Sequence, residues 1–517
     1  MSCTLDKIEE ILEENECNLQ IAFCDPKTNK GNFKIDGTSC DSRSASQSSM
    51  FVCKGKNFKI DYLINAIKKG ANSCLSSYEM SQQFQIREIC EEFEIPLLLV
   101  DDVRCAQAFA SKVAWGCPDE GLTIVGITGT KGKTTVATFV ESAINAKCGD
   151  GKRTCGFIGT HRVFDGKKTY EPPNTTPEPP DLYRFLAEMV NNGLDYCVME
   201  VSSQGIKQKR VLGLDFDVCA ITNVGVDHIA PIEHPSVEDY VLTKFKIATL
   251  CENLVLPHSI AICQEVEELC KMQLALIEKS NNNQLYFFDE NIDESREIPL
   301  RLMGSVNQKN ARCALKICEV LGLNAEKTYD AICNTCVSGR MEVFGDKTSK
   351  IVGIVDYAHT LESYEAFFAD VKKRFPKSYL IAYFGASGGK ASNRCVDLPK
   401  TASKYCDYII LTTDDPGNEK PEDVIDRCAQ NVPTGTNFEK VVSRDEACER
   451  AFELAKDYVN SSSVEGEGKK DRVIVCALGK GSESICVGGQ GVDDIPITPD
   501  TEHVRRKVSD LSDKFKL

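Results

Sequence analysis

No apolar run in the 517 residues approaches the roughly 20 that a membrane-spanning helix needs, so insertion into a bilayer is not expected. Positive charge is in deficit, with 61 Lys and Arg against 77 Asp and Glu and a formal net charge of −16. Such a surface repels polyanions, which excludes a general nucleic-acid or anionic-membrane binder; an anionic ligand has to be held by local positive groups. Paired CxxC units with histidine at metal spacing are also missing, although the chain carries 26 cysteines. Cys197, Cys219, Cys263, Cys406 and Cys476 sit in apolar runs, where free thiols act as small hydrophobes, and a reduced cytoplasm fits best. No secretory leader is expected either: in MSCTLDKIEEILEENE, Leu5, Ile8, Ile11 and Leu12 share one helical face with acids between them. Internal repeats are not visible.

What is there is enough for several cores. A chain of this length predicts about three domains at about 150 residues each. Residues 1–118 mix short apolar runs (MFVCK, LLLVDD) with helical patches such as DYLINAIKKGA and read as a small α/β domain. Residues 119–336 alternate strand patterns (DYCVMEVSS, DVCAITNVGVDH, NLVLP) with helical ones, which predicts a mainly parallel, doubly wound sheet. Residues 337–517 repeat that alternation with IVGIVDY, YLIAYFG, YIILTTD and RVIVCALGKG, a second, Rossmann-like α/β sheet. SSSVEGEGKKD, 461–471, reads as a mobile surface loop.

The stretch that organises the rest is IVGITGTKGKTT, Ile124 to Thr135, followed by the helical spacing of VATFVESAINA. Strand, glycine-rich turn and helix in that order form a phosphate loop. Backbone N–H groups from Gly129 to Gly132 close around phosphate oxygens, Lys133 adds a point charge, and Thr134 offers its hydroxyl to Mg²⁺. The pattern GxxxxGK[ST] is not strictly met, since Ile127 stands five before Gly132; the tighter GTKGKT is present.

Ligands on such sheets gather at the carboxyl ends of strands, which places Glu200, Ser202, Asn223 and His228 toward this loop. Each has an ordinary reading beside the chemical one. Glu200 ends an apolar strand and is either an exposed strand-end acid or, with Thr134, a Mg²⁺ ligand. A lone histidine such as His228 is more often structural. Lys244, mid-helix in YVLTKFKI, reads as one more solvated lysine and as an ammonium cannot bind a metal. Asp41-Ser42-Arg43 and Lys54-Gly55-Lys56-Asn57 read as turn residues at strand edges.

Taken together, GTKGKTT, NTTPEP, MEVSSQ, TNVGVDHI, EDYVLTK, GSVNQKN, VSGRMEVF, VDYAHT, FGASGGK, TTDDPG and GKGSE, collinear from about Asp41 to Glu483, resemble the Mur ligases, and most of all the UDP-N-acetylmuramoyl-tripeptide synthetases, the MurE group. The resemblance implies a three-domain α/β architecture: a UDP-sugar domain, a central P-loop ATPase domain and a C-terminal amino-acid domain. It implies ATP and Mg²⁺ as cofactors, UDP-MurNAc-L-Ala-D-Glu and an amino acid as substrates, a monomer, and peptide-bond formation through an acyl phosphate. Residue by residue, it implies nucleotide contacts from Gly129, Thr130, Lys131, Gly132, Lys133, Thr134, Thr135, Asn307, Arg340 and Asp356. It gives metal ligation to Thr134, Glu200 and His228, with Lys244 carbamylated so that its amine becomes an anionic oxygen ligand. UDP-sugar-peptide contacts fall to Ser42, Lys56, Asn57, Thr175, Thr176, Ser202, Gln208 and Arg210, and amino-acid contacts to Arg394, Asp414, Asp415, Gly479 and Glu483.

The text also departs from the family. Diaminopimelate-adding relatives carry a loop resembling DNPR, whose arginine grips the distal carboxylate; here it is Asp414-Asp415-Pro416-Gly417. Loss of the arginine and gain of acids favour a cationic side chain, L-lysine or another basic amino acid. Cys395 stands where a basic residue is usual, and GVDHIAPIEHP replaces the HLDYHG of many relatives. Two other readings stay open at this level: a Mur-like amide ligase outside the cell-wall pathway, folylpolyglutamate-synthase-like, or a catalytically silent ATP-binding homologue.

Overall fold

Alternation along the first strands already decides how their sheet is buried. Met50, Val52, Leu75, Leu98 and Val100 enter one core with Leu5, Ile8 and Leu12, while Phe51, Cys53, Cys74, Leu97 and Leu99 enter another with Leu63 and Ile86. Successive side chains of a strand point to opposite faces, so a strand apolar at every position needs cover on both. The computed structural model describes residues 3–22, 30, 33–147, 153–172, 174–227, 229, 233–290, 297–302, 304–346, 348–389, 393–461, 470–489 and 491–511. His228 and most of the 461–471 loop lie outside them.

The chain divides into two units, residues 1–296 with 310–332, and residues 297–309 with 333–517. Among the described residues the first unit holds a five-stranded and an eight-stranded sheet. In the five-stranded sheet, Thr38–Ser39, Met50–Val52, Ser73–Ser77 and Leu97–Val100 run parallel and Gln20–Ala22 pairs antiparallel at the edge. In the eight-stranded sheet Thr123–Thr128 is central, with Tyr196–Glu200 on one side and Phe216–Ile221 on the other, both parallel to it. The chain moves first to one side (Cys155–Ile158, then Tyr196–Glu200) and later to the other (Phe216–Ile221, Cys251–Leu256, Gln284–Phe287). The turn after Thr128 therefore sits at the point where strand order reverses, where a crevice opens for ligands.

The second unit has a six-stranded sheet whose strands Ile351–Asp356, Arg472–Leu478, Ser378–Phe384, Tyr408–Leu411 and Phe438–Lys440 are parallel, with Glu342–Phe344 antiparallel at one edge. Helix Asp500–Leu511 packs Val504, Val508 and Leu511 into its core. Among the described residues no helix is long and apolar enough to cross a membrane.

Candidate active site

In the first unit the glycines of the phosphate loop are forced by contact. Gly129 has φ +149°, and a Cβ there would lie 1.9 Å from Thr222 Oγ1; Gly132 has φ +89°, and a Cβ would lie 2.4 Å from Asn310 Oδ1. Only glycine fits both the left-handed backbone and the close approach. Gly132 then starts helix Lys133–Ala146. The segment 222–225 braces the loop: Asn223 accepts Lys131 N–H on Oδ1 (3.0 Å) and donates to Lys131 O (2.9 Å), Thr222 Oγ1 donates to Lys131 O (2.6 Å), and Gly225 N–H donates to Thr130 Oγ1 (2.9 Å). Such bracing holds the loop N–H groups in place before any phosphate arrives.

Thr134 and Glu200, 66 residues apart, meet: Thr134 Oγ1 donates to Glu200 Oε2 at 2.9 Å. Parallel pairing of strands Tyr196–Glu200 and Thr123–Thr128, with Glu200 opposite Ile127, places the acid beside the loop that leads into the helix carrying Thr134. Glu200 is 0 % exposed, and its oxygens also accept Thr160 N–H (2.9 Å) and Thr160 Oγ1 (3.2 Å). A hydroxyl and a carboxylate are hard oxygen ligands suited to Mg²⁺, which takes its remaining ligands from water and phosphate. The residues present fit that ion. Among the described residues no group of three or more His, Cys, Asp or Glu gathers as a metal cage.

Lys244 is not the solvated lysine its text suggests. It lies next to last in helix Val237–Phe245, 1 % exposed, with Nζ donating to Gly129 O (2.9 Å) and resting 4.6 Å over the Tyr240 ring. Lys133 Nζ donates to the same carbonyl (2.9 Å) and to Thr130 O (3.3 Å). Burial first, and the Lys133 charge second, push the Lys244 amine well below the ordinary lysine range. A neutral amine is the form that adds CO₂.

Sequence reasoning missed what fixes that helix. His234 is fully buried, 2.6 Å from Asp239 Oδ2 through Nδ1 and 3.0 Å from Ser203 Oγ through Nε2. Burial lowers its pKa, against the opposing pull of Asp239. Lys207 also reaches Asp239 (2.7 Å), and Tyr240 OH donates to Thr130 Oγ1 (3.2 Å). Helix 237–245 is thereby tied to helix Ser203–Lys207 and to the phosphate loop. The only textual signal was a histidine close to an N-capping serine.

Of the residues expected to hold the sugar peptide, Thr175, Thr176, Ser202, Gln208 and Arg210 are brought together. Thr175 Oγ1 lies 3.1 Å from Thr160 Oγ1, Ser202 N–H donates to Thr176 Oγ1 (2.9 Å), and Arg210 donates to Thr176 O and Gln208 Oε1 (both 2.8 Å). Ser42 is half-buried in the turn after Thr38–Ser39, while Lys56 and Asn57 are exposed in the turn after Met50–Val52. Thr135 is buried on helix Lys133–Ala146 and Lys131 is half-buried.

In the second unit Asn307 is buried, Arg340 lies 4.5 Å over the Tyr357 ring, and Asp356 accepts Met341 N–H (2.7 Å) and Ala358 N–H (2.8 Å). Asp414, Asp415, Gly479 and Glu483 converge on a residue the sequence reading passed over, Lys480. Its ammonium, 1 % exposed, binds Asp415 Oδ1 (2.8 Å) and Glu483. Burial lowers the Lys480 pKa, but Asp414, Glu483 and Asp415 outweigh it and raise the value above the ordinary lysine range. Gly479 is obligatory here, with φ +110° and a Cβ position 2.4 Å from Asp414 Oδ2. The two aspartates are thus not both free for a substrate cation: Asp415 is committed to Lys480 and to Val487 N–H (2.7 Å). Arg394 hydrogen bonds to Ser387 Oγ (3.4 Å), with no contact among the described residues tying it to this cluster. Cys395 is buried, and its hydrogen bond with Cys428 holds the thiol below its ordinary range.

Two family models match the chain, the Mur ligase middle domain over residues 127–318 and the Mur ligase, glutamate ligase domain over residues 339–477. The UDP-N-acetylmuramoyl-L-alanyl-D-glutamate--L-lysine ligase of Enterococcus faecalis is 32 % identical over 459 residues, covering 85 % of this chain and 87 % of the relative. The chain belongs to the Mur ligase family. A Streptococcus pyogenes protein of the same description is 31 % identical over 465 residues, covering 89 % and 90 %. A solved UDP-N-acetylmuramoyl-L-alanyl-D-glutamate--2,6-diaminopimelate ligase aligns over 99 % of both chains with a TM-score of 0.61 at 20 % identity, which shows the Mur ligase fold. Membership accounts for the order of the motifs: loop, strand-end acid and lysine helix are one folded unit.

Proposed function

We propose that this Mur ligase joins L-lysine to UDP-MurNAc-L-Ala-D-Glu at the expense of ATP, in peptidoglycan precursor synthesis in the cytoplasm. The observation that carries the ATP half is the Thr134–Glu200 contact at 2.9 Å beside a braced phosphate loop. The amino-acid half rests on the acidic cluster of Asp414, Asp415 and Glu483, whose three negative charges exceed the one positive charge of Lys480. It rests also on relatives described as L-lysine ligases. Residues 1–118 are assigned to the UDP-sugar, 119–336 to ATP and 337–517 to the amino acid.

The reaction begins with the acceptor carboxylate attacking the γ-phosphate, giving an acyl phosphate and ADP; the amine of lysine then displaces phosphate. Two anions must approach in line, and Mg²⁺ supplies the charge that offsets their repulsion. Thr134 and Glu200 would hold one Mg²⁺ and His228 would help hold a second near the γ-phosphate, with carbamylated Lys244 offering an anionic oxygen ligand. Lys133 lies folded onto Gly129 O and Thr130 O and is placed to turn toward phosphate oxygens. Thr175, Thr176, Ser202, Gln208 and Arg210 position the sugar peptide, helped by Ser42, Lys56 and Asn57. Asn307, Arg340 and Asp356 are assigned to the adenine, phosphate and ribose of ATP. Gly479, Glu483, Asp414 and Arg394 receive lysine, while Asp415 acts through Lys480.

The test is an amino-acid panel. Purified protein with ATP, Mg²⁺, bicarbonate and UDP-MurNAc-L-Ala-D-Glu should release phosphate with L-lysine and not with meso-diaminopimelate. Turnover with diaminopimelate in place of lysine would overturn the assignment.

A further inference from the structure

Three loops of the second unit close on Tyr357, which follows directly on strand Ile351–Asp356. Strand Glu342–Phe344 pairs antiparallel with that strand, Glu342 opposite Val355, and Arg472–Leu478 pairs parallel with it on the other side, Leu478 opposite Asp356. Register therefore brings the residues before Glu342 and those after Leu478 to either side of Tyr357. Two glycines let the flanking loops touch: a Cβ at Gly339, where φ is +70°, would lie 2.9 Å from Gly481 Cα.

The Tyr357 side chain joins groups that belong to different ligands. Arg340 rests over its ring at 4.5 Å. At the far end of the ring the phenol donates to Glu483 Oε1, and Lys480 takes Oε2 of the same carboxylate. His359 steadies the backbone from below, with Nδ1 2.7 Å from Tyr357 O and its ring edge-on at 5.3 Å. Burial first, and the Glu483 charge second, push the Tyr357 phenol up, so its proton stays in place to be donated. With one oxygen on a phenol and the other on an ammonium, Glu483 is fixed in orientation and still has lone pairs for a further donor.

We propose that Tyr357 is a positioning residue that couples the nucleotide to the amino acid: phosphate held by Arg340 steadies the ring, and the steadied phenol keeps Glu483 turned toward the incoming amine. This rests on the function proposed above, with Arg340 as a phosphate contact and Glu483 as an amino-acid contact. Both ligands then favour one arrangement of the three loops, so each tightens the other by the same factor. Lysine is held best when the nucleotide that activates the acceptor is already in place.

Calorimetric titration of the full chain tests it, with UDP-MurNAc-L-Ala-D-Glu present throughout and β,γ-methylene ATP in place of ATP so that no acyl phosphate forms. L-lysine is titrated with and without saturating Mg²⁺ and analogue, and the analogue with and without saturating lysine. In the natural chain each should tighten the other by about fivefold. Tyr357→Phe keeps a ring beneath Arg340 and loses the bond to Glu483; it should weaken lysine and bring both ratios below about twofold. Loss of a merely structural contact would weaken lysine equally in both states and leave the ratios intact. Tyr357→Leu is a second variant of the same expected sign, with thermal midpoints recorded for both, and the ratio in the natural chain needs no variant at all. A ratio that survives in folded Tyr357→Phe is charge acting through space and overturns the proposal, as does a natural chain in which the two ligands bind independently; the function stands in either case. A natural chain that releases no phosphate with lysine, ATP and the sugar peptide together overturns both.

Discussion

Arg444 and Asp500 form a buried ion pair that reaches the amino-acid loops, and cutting it should be costly in a calculable way. The two side chains are 1 % and 2 % exposed, with Arg444 Nη2 2.7 Å and Nε 3.1 Å from the carboxylate. The same guanidinium donates to Thr413 O (3.1 Å) and Leu478 O (2.8 Å), the carbonyls preceding Asp414 and Gly479, and Tyr383 OH donates to Asp500 Oδ1 (3.0 Å). Asp500→Asn leaves the arginine charged, buried and without its counter-ion, which costs about 3–5 kcal/mol. That is a large part of the 5–15 kcal/mol or so that holds a typical domain. Replacing both, as Arg444→Met with Asp500→Leu, removes the charges together and should cost less than the single change. Denaturant unfolding of the three variants measures this, alongside steady-state kinetics in which lysine KM rises and ATP KM holds. A loss below about 1 kcal/mol for Asp500→Asn, or a double variant no better than the single, would show that the pair is not worth what its burial implies.

Bicarbonate should raise the melting temperature of the natural chain by a few degrees and leave Lys244→Met unmoved, because a modification confined to the folded state stabilises it by about 1.4 kcal/mol at tenfold saturation. The sign with pH follows from the lowered Lys244 value: burial and the Lys133 charge make the folded chain give up the ammonium proton more readily than the unfolded chain, which keeps it up to the ordinary value of 10.5. The unmodified group thus disfavours folding below pH 10.5 and that penalty fades as pH rises toward 10.5, which denaturant unfolding of the bicarbonate-free natural chain against Lys244→Met across pH measures. Thr134→Val should cut kcat by about 10²-fold or more with folding intact, read by phosphate release; activity within a factor of two would remove Thr134 from the metal site. Lys480→Met should raise lysine KM by about tenfold or more, since Asp415 and Glu483 lose the ammonium that joins them, whereas Lys480→Arg retains part of the function; an unchanged KM would mean that the cluster does not set the lysine site.

Much of this was legible in the one-dimensional text because it depends on local chemistry. The phosphate loop announces itself by glycines that only a left-handed turn tolerates, and the doubly wound sheet by apolar strands alternating with helical spacing. Glu200 was legible as well, because it terminates a strand whose carboxyl end must face the loop. Lys244 was not: its neighbours Tyr240 and Gly129 come from two different elements, and nothing in YVLTKFKI distinguishes a buried amine from a solvated one. Lys480 and Tyr357 were inside quoted motifs, yet their roles depend on partners 65 and 126 residues away.

By itself, then, the sequence determined the order of strands and helices, the turn that cradles phosphate and the acid that faces it, since these follow from residue size, backbone freedom and periodicity over a few positions. The tertiary structure alone decided which charges are buried together: Lys133 and Lys244 on one carbonyl, Lys480 among three acids, Arg444 against Asp500. Coulomb energy depends on distance through space and on the exclusion of water, and neither quantity is written along the chain.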